Sequence, residues 1–172
     1  MNGNVDVDMN TGTETAGTAA SRDVPPVERW ELRPAEAADA GRIAELRAVV
    51  MRPDLERLGR YDEDRVRRRL YDSFSTLYTS VILVDGRFAG SVTVRPVAGG
   101  RLLEHFYLAP HLQGRGLGSA VLGAVLDRAA AEGETVRLAV LRGSAARRLY
   151  ERHGFVMESE DAVDVLMVRA PR

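Results

Sequence analysis

The sequence predicts a mixed α+β domain with a central, mostly antiparallel twisted sheet of about six to seven strands and about four flanking helices. An antiparallel meander comes first, because the β-rich run 78–84 and the alternating run 88–95 are joined by the hairpin signal Asp85-Gly86. Strand patterns then alternate with helical patterns to the end of the chain. Strands that alternate with helices after a meander are typical of a mixed sheet with helices on its faces.

Each element is predicted from its own local pattern. Runs of β-forming residues predict strands at 30–33, 78–84, 88–95, 102–108, 135–141, 155–157 and 163–168. Apolar residues at helical spacing predict helices at 35–51, 62–71, 119–132 and 145–153. We expect Arg52-Pro53 to interrupt the first helix, Gly133 to end the third and Ser144 to cap the fourth.

The composition limits the class of protein. The chain has 172 residues and a net charge of −1, which argues against a general affinity for nucleic acid. Residues 1–27 carry almost no large apolar groups and are expected to be disordered, whereas 28–172 are expected to form a single domain. No apolar run approaches the roughly 20 residues that cross a bilayer, and no secretory signal pattern is seen at the start. We therefore expect a cytoplasmic protein without a membrane partner.

The absence of Cys removes three kinds of chemistry at once: disulfides, thiolate metal sites and a cysteine nucleophile. The three His residues also lack metal-ligand spacing, because His111 is expected in solvent and His153 on the flank of its helix. No metal is therefore expected. The strongest candidate for a functional site is instead the loop between the fourth predicted strand and the third predicted helix.

Three glycines alternate in this loop, which consists of Gln113, Gly114, Arg115, Gly116, Leu117 and Gly118. A helix start has unpaired N–H groups and a partial positive charge, and glycines allow the backbone to approach an anion closely. Such a loop is suited to phosphate, to which Arg115 adds a charged donor. A Walker A loop needs a Lys, which the chain lacks, and Ser119 stands where a dinucleotide loop has its third glycine. The alternative is a tight glycine turn that binds nothing.

The pattern Q-x-x-G-x-G, formed by Gln113, Gly116 and Gly118, resembles the acetyl-CoA signature of the GNAT superfamily of N-acetyltransferases. The resemblance implies that the amides of this loop, extended by Ser119, hold the pyrophosphate of coenzyme A. It also implies that acetyl-CoA is the co-substrate and that an amine is the acceptor.

A second motif strengthens the resemblance. The GNAT pattern A-x-x-L-Y-x-x-x-G-F is matched completely, by Ala146, Leu149, Tyr150, Gly154 and Phe155. The resemblance extends over about 29–169, and it implies that Ser144 and Arg147 also contact the cofactor. One position departs from the family, because Gly143 stands where relatives often have an Asn that helps to hold the pantetheine arm. Either Ser144 or a backbone group replaces that Asn, or the affinity is lower.

The reaction implied is transfer of an acetyl group from a thioester to an amine. A backbone N–H on the strand segment Phe106, Tyr107 and Leu108 is expected to polarise the thioester carbonyl. Tyr150 is the candidate general acid, because a free Tyr has a pKa near 10 and keeps its proton at neutral pH. The alternative for Tyr150 is an ordinary core aromatic residue on the helix stripe.

The acceptor amine must also lose a proton, since an alkyl amine of pKa about 10.4 is mostly charged at neutral pH. Glu104 is the candidate base, directly or through water; the alternative is an exposed or salt-bridged strand carboxylate. His105 falls on the opposite face of a regular strand, so only one of the two points into the site unless the strand bulges.

Three functions remain open from the sequence. The first is an N-acetyltransferase with direct transfer in a ternary complex, since no Cys is present to carry an acyl group. The second is a non-catalytic acetyl-CoA-binding sensor or interaction module. The third is a nucleotide binder, against which the missing Lys argues. The acceptor is open; Arg52, Arg57 and Arg60 would favour one that carries a carboxylate. The final strands could support a homodimer.

Overall fold

The computed structural model describes residues 29–172, so the predicted disorder of residues 1–27 lies outside the described residues. Within 29–172 the strands are β1 (Trp30–Pro34), β2 (Thr79–Val84), β3 (Arg87–Val97), β4 (Gly100–Leu108), β5 (Val136–Leu141), β6 (Val156–Glu160) and β7 (Asp164–Arg169). The helices are α1 (Asp39–Arg57), α2 (Glu63–Ser73), α3 (Leu117–Ala131) and α4 (Ala146–Arg152), with a short 3-10 turn at Pro110–Leu112. The predicted fold class is confirmed.

The strands form one sheet in the order β1-β2-β3-β4-β5-β7-β6. All neighbouring strands are antiparallel except β4 and β5, which run parallel and pair only at Arg101–Val136 and Leu102–Arg137. Beyond these two residue pairs no pairing joins β4 and β5 within 29–172. We call the gap between 103–108 of β4 and 138–141 of β5 the wedge. The glycine loop begins at one side of its open end, and residues 142–145 lie at the other.

Helix α1 continues past Pro53, so the predicted interruption at Arg52-Pro53 is wrong. A proline inside a helix removes the hydrogen bond to the carbonyl four residues earlier, here that of Val49. Val49 is 56% exposed, so the turn that lacks this hydrogen bond lies on the solvent-facing side of the helix, where the loss of a backbone hydrogen bond costs less than in the core. The extra turn carries Arg57 to the open end of the wedge.

The other helix boundaries agree with the sequence in outline. Asp62 caps α2, because its carboxylate accepts the N–H of Arg65 at 2.7 Å. The fourth helix is different: its N-cap is Ala145, not Ser144. Ser144 still contributes, since its Oγ accepts the N–H of Ala146 at 3.3 Å. Gly133 follows the end of α3 with a φ of +69°, as a helix stop requires.

The sheet separates two clusters of buried apolar side chains. One cluster lies under α1 and α2 and includes Ile43, Leu70 and Tyr107. The larger cluster lies under α3 and α4 and includes Leu122 and Tyr150. The two tyrosines therefore approach the wedge from opposite sides of the sheet. In residues 29–172 no helix has both the length and the apolar content needed to cross a membrane.

Candidate active site

The loop before α3 has the geometry that an anion cradle needs. Gly114 has a φ of +71° and Gly116, the N-cap of α3, a φ of +83°, which L side chains rarely adopt. A Cβ built on either glycine would meet nothing within 4 Å, so open space lies beside the loop. The first N–H that is paired within the helix belongs to Ala120, which donates to the carbonyl of Gly116. The amides of Leu117, Gly118 and Ser119 precede it in the first turn, and the cradle fits a phosphate group.

Two residues of the loop have structural contacts instead of open space around them. Gly118 packs between two leucines, because a Cβ there would lie 3.3 Å from Cδ1 of Leu108 and 3.4 Å from Cδ2 of Leu149. Gln113 donates from Nε2 to the carbonyl of Leu108 at 2.9 Å, which fastens the loop to the end of β4. Arg115 is half-buried. These contacts hold the cradle at the open end of the wedge.

Strand β4 contains the bulge that the sequence analysis considered. Thr93 pairs with Glu104 and Ser91 with Tyr107, so two residues of β4 lie opposite one residue of β3. His105 in the bulge has a φ of +48°, and its carbonyl accepts the hydroxyl of Ser91 at 2.8 Å. The bulge brings Oε1 of Glu104 to 4.0 Å from Nε2 of His105. The two side chains therefore lie together and not on opposite faces.

A line of hydrogen bonds holds the His105 ring. Its Nε2 lies 2.6 Å from Oγ of Ser73 and its Nδ1 lies 3.0 Å from the Tyr107 hydroxyl, which also accepts from Nη1 of Arg47. The Ser73 hydroxyl donates to the carbonyl of Arg69. Burial, followed by the charges of Arg47 and Arg95, lowers the pKa of His105 to about 4. A neutral ring with both nitrogens engaged is poorly placed to act as the base.

Glu104 forms an ion pair with Nη2 of Arg95. That guanidinium also donates to the carbonyl of Ser73 at 2.7 Å, so it links β3 to the end of α2. Both side chains of the pair are about a quarter exposed, but Oε1 of Glu104, the atom paired with Arg95, is itself buried. Glu104 is thus a half-buried, salt-bridged strand carboxylate.

Tyr150 lies on α4 and is only 7% exposed. Its ring meets Phe155 edge to face, with the ring centroids 5.8 Å apart. Burial, with a smaller contribution from Tyr107, raises the pKa of Tyr150. No hydrogen bond joins its hydroxyl to any residue in the described part of the chain. The phenol is therefore protonated at neutral pH, and its proton is not committed to a neighbouring side chain.

The structure explains why Gly143 stands at the end of β5. Its φ is +77°, and a Cβ there would lie 2.8 Å from Nη1 of Arg57. Arg57 donates from Nη2 to the carbonyl of Arg142 at 2.5 Å and to Asp54 at 3.0 Å. The guanidinium thus lies over Gly143 and joins the end of α1 to the β5 side of the wedge.

Replacing Gly143 by Ala is expected to lower the free energy of unfolding by about 1–2 kcal/mol, because Ala is strained at this φ and crowds Arg57. Gly143→Asn should cost less, since Asn tolerates the left-handed region. Urea unfolding measures both. Gly59→Ala is the matched control, because Gly59 has a φ of +66° but open space around a Cβ. A loss at Gly143 no larger than at Gly59 would show that the Arg57 contact is unimportant.

The remaining predicted residues are placed as follows. The backbone of Phe106, Tyr107 and Leu108 forms the β4 side of the wedge, and within 29–172 no strand pairs with β4 there on the β5 side. Arg147 contacts Glu151 at 2.7 Å on the surface of α4. His111 is exposed, and His153 lies at the end of α4. Among the described residues no group of His, Asp and Glu is arranged to hold a metal ion.

Three residues around the bulge, Arg47, Ser73 and Arg95, were not predicted from the sequence. Arg47 is 8% exposed and donates from Nε to the carbonyl of Val66 at 2.8 Å. A signal for it was present, because Arg47 falls on the apolar stripe of α1 between Ile43 and Val50. No pattern in the sequence marks Ser73 or Arg95, since both act through contacts between distant elements.

Comparison with known proteins shows which family has this fold and these two motifs. A family model described as the acetyltransferase (GNAT) family matches residues 43–155. Curated proteins gave no significant match.

Solved structures share the fold. The PaiA N-acetyltransferase from Thermoplasma acidophilum, in complex with coenzyme A, superposes with a TM-score of 0.68 at 19% identity, over 83% of this chain and 99% of that one. The ribosomal-protein-S18-alanine N-acetyltransferase from Escherichia coli gives 0.62 at 19% identity, over 83% and 94%. A GNAT-family acetyltransferase from Streptococcus pneumoniae gives 0.54 at 26% identity, over 84% and 100%.

Proposed function

Because this chain belongs to the GNAT family of acetyltransferases, we propose that it moves the acetyl group of acetyl-CoA directly to a primary amine, with Tyr150 as general acid. The observation that carries the proposal is the buried Tyr150 phenol on the α4 side of the wedge, next to the anion cradle of α3, where burial raises its pKa. Both reactants occupy the site together in this scheme. The absence of Cys supports it, since the chain has no thiol to form a covalent acyl-enzyme.

The chain's own groups divide the work of holding acetyl-CoA. The first-turn amides of Leu117, Gly118 and Ser119 would bind the diphosphate, with the positive end of α3 behind them. The unpaired edge of β4 at 106–108 would supply the backbone N–H that polarises the thioester carbonyl. Ser144 and Arg147 would contact the cofactor from the α4 side.

Tyr150 would donate its proton to the departing thiolate. A phenol of raised pKa remains protonated over the working pH range, and a thiolate leaving group is basic enough to take a proton from a nearby donor. The Tyr150 hydroxyl has no competing partner among residues 29–172, so it can turn toward the leaving sulfur.

Glu104 would accept the proton of the acceptor amine, directly or through water. Replacing Glu104 by Gln is expected to lower kcat/KM for the amine about 10–100-fold near neutral pH. The loss should shrink as pH approaches the amine pKa of about 10, because the acceptor then loses its proton without help. Steady-state rates from about pH 6.5 to 9.5 measure this. A pH-independent loss would assign Glu104 to structure through its ion pair with Arg95 and not to proton transfer.

The acceptor itself is best sought by a screen. The arginines expected to favour a carboxylate are partly occupied: Arg52 pairs with Glu56 at 2.7 Å and covers the ring of Tyr61, and Arg57 contacts Asp54. One similar structure is a ribosomal-protein-S18-alanine N-acetyltransferase, so the panel should include a peptide that begins with alanine as well as small amines and amino acids. Release of free thiol from acetyl-CoA reports turnover. Binding of acetyl-CoA without thiol release on any amine would favour the non-catalytic sensor.

A further inference from the structure

One contact links α4 to the cradle. Nε2 of His153, the residue that ends α4, lies 2.7 Å from Oγ of Ser119 in the first turn of α3. The ring lies along α3, since its Cε1 would be 4.0 Å from a Cβ on Gly123, one turn further on. The Ser119 hydroxyl, which belongs to the same helix turn as the cradle amides, is therefore hydrogen-bonded to the His153 ring.

The charges around His153 all disfavour its protonation in the free protein. Arg152 precedes it on α4, Arg169 of β7 donates from Nε to its carbonyl at 2.9 Å, and the guanidinium of Arg172 lies against Gly154. The groups that α3 presents to it, Ser119 and Gly123, are uncharged. Burial, followed by the charges of Arg152 and Arg169, lowers the pKa of His153. An anion placed at the cradle would act in the opposite direction.

We propose that Ser119 and His153 form a proton-linked contact to the cofactor diphosphate, so that binding at the cradle is accompanied by proton uptake. This inference rests on the binding of coenzyme A at the loop. In the free protein the Ser119 hydroxyl donates to the neutral Nε2, and its proton is turned away from the cradle. When a phosphate oxygen arrives, a proton from solvent binds Nε2, which then donates to Oγ. The Ser119 hydroxyl is released to donate to the phosphate.

Binding of dephospho-CoA tests the proposal, because its diphosphate lacks the terminal phosphate whose own titration would confuse a proton count. Calorimetric titration is carried out at about pH 6 and about pH 8, in two buffers of different ionisation enthalpy. We expect affinity about fivefold higher at the lower pH, with proton uptake, for the unaltered protein. Pantetheine, which has no phosphate, should bind without either effect.

Three variants locate the effect. Ser119→Ala and His153→Phe should each bind dephospho-CoA with the same affinity at both pH values and without proton uptake. His153→Gln keeps an N–H donor toward Ser119 but does not titrate, so it should also be pH-independent, with an affinity near that of the unaltered protein at low pH. Thermal unfolding of each variant checks that it is folded.

Two results would overturn the proposal. If Ser119→Ala shows the same pH dependence as the unaltered protein, Ser119 does not mediate the proton uptake; if His153→Phe does so, the proton is bound elsewhere. If the unaltered protein binds dephospho-CoA without proton uptake, neutral His153 already donates to Ser119 and no linkage exists. Neither result affects the proposed transferase activity, which thiol release measures separately; failure to bind dephospho-CoA or acetyl-CoA at all would overturn both.

Discussion

Replacing Tyr150 by Phe is expected to lower kcat about 10²–10³-fold, whereas KM for acetyl-CoA should change less than about threefold. The change removes one hydroxyl and leaves the ring that packs against Phe155, so the fold and the cradle keep their contacts. In the proposed mechanism the variant loses the proton for the departing thiolate, which is needed only in the transition state. Steady-state kinetics with the best amine of the screen measures the effect.

The matched control for this variant is Tyr71→Phe, which removes a hydroxyl from a tyrosine that is 54% exposed on α2. Its kcat should equal that of the unaltered protein. A Tyr150→Phe variant that loses activity only through a higher KM would place Tyr150 in cofactor binding. A variant with full kcat would make Tyr150 an ordinary core residue and would move the proton donor to water or to another group.

The free energy of unfolding should fall by up to about 3 kcal/mol between about pH 6.5 and pH 4 because of His105 alone. The folded-state pKa of His105 is about 4, below its ordinary value of 6.5. The unfolded chain therefore binds a proton first as pH falls through this range, and the unfolded state gains stability relative to the folded one. Above about pH 6.5 both states are neutral at this residue and its contribution is constant.

Urea unfolding at several pH values tests this expectation against His105→Asn. Asn tolerates the φ of +48° in the bulge but does not titrate, so its stability curve should be flatter over the same range. The difference between the two curves isolates His105 from Asp39, whose lowered pKa also favours unfolding in acid. Parallel curves for the two proteins would mean that His105 titrates normally in the folded state.

Most of the architecture could be predicted because local sequence patterns determine most of the helices, strands and turns. The meander, the glycine loop and the Ala146–Phe155 motif each involve neighbours in sequence, and each appears where it was predicted. The predicted interruption at Pro53 was wrong because the free-energy cost of a proline inside a helix depends on whether the affected turn faces solvent, as the turn at Val49 does. That exposure is a property of the tertiary structure. For that reason the last turn of α1, which carries Arg57, was not predicted.

The finer geometry of the site depends on contacts between distant segments. A bulge at His105 was considered but could not be predicted, because the register of β3 against β4 decides it. The buried Arg47 reaches Tyr107 across sixty residues, and Ser119 reaches His153 across thirty-four. The crowding that excludes a side chain at Gly143 comes from the Arg57 guanidinium of α1. Sequence spacing carries no information on such pairs unless a motif happens to include both members.

The short parallel pairing of β4 with β5 has a mechanical consequence. Two residue pairs are all that join the backbones of β1–β4 to those of β5–β7 within the described sheet, so the backbone hydrogen bonding of the sheet is weakest along this line. Each half has its own antiparallel ladder and opens at higher cost. A ligand that hydrogen-bonds to the free edges of both strands would add links across this line. The two halves of the sheet should therefore move relative to each other more easily in the ligand-free protein than in the complex.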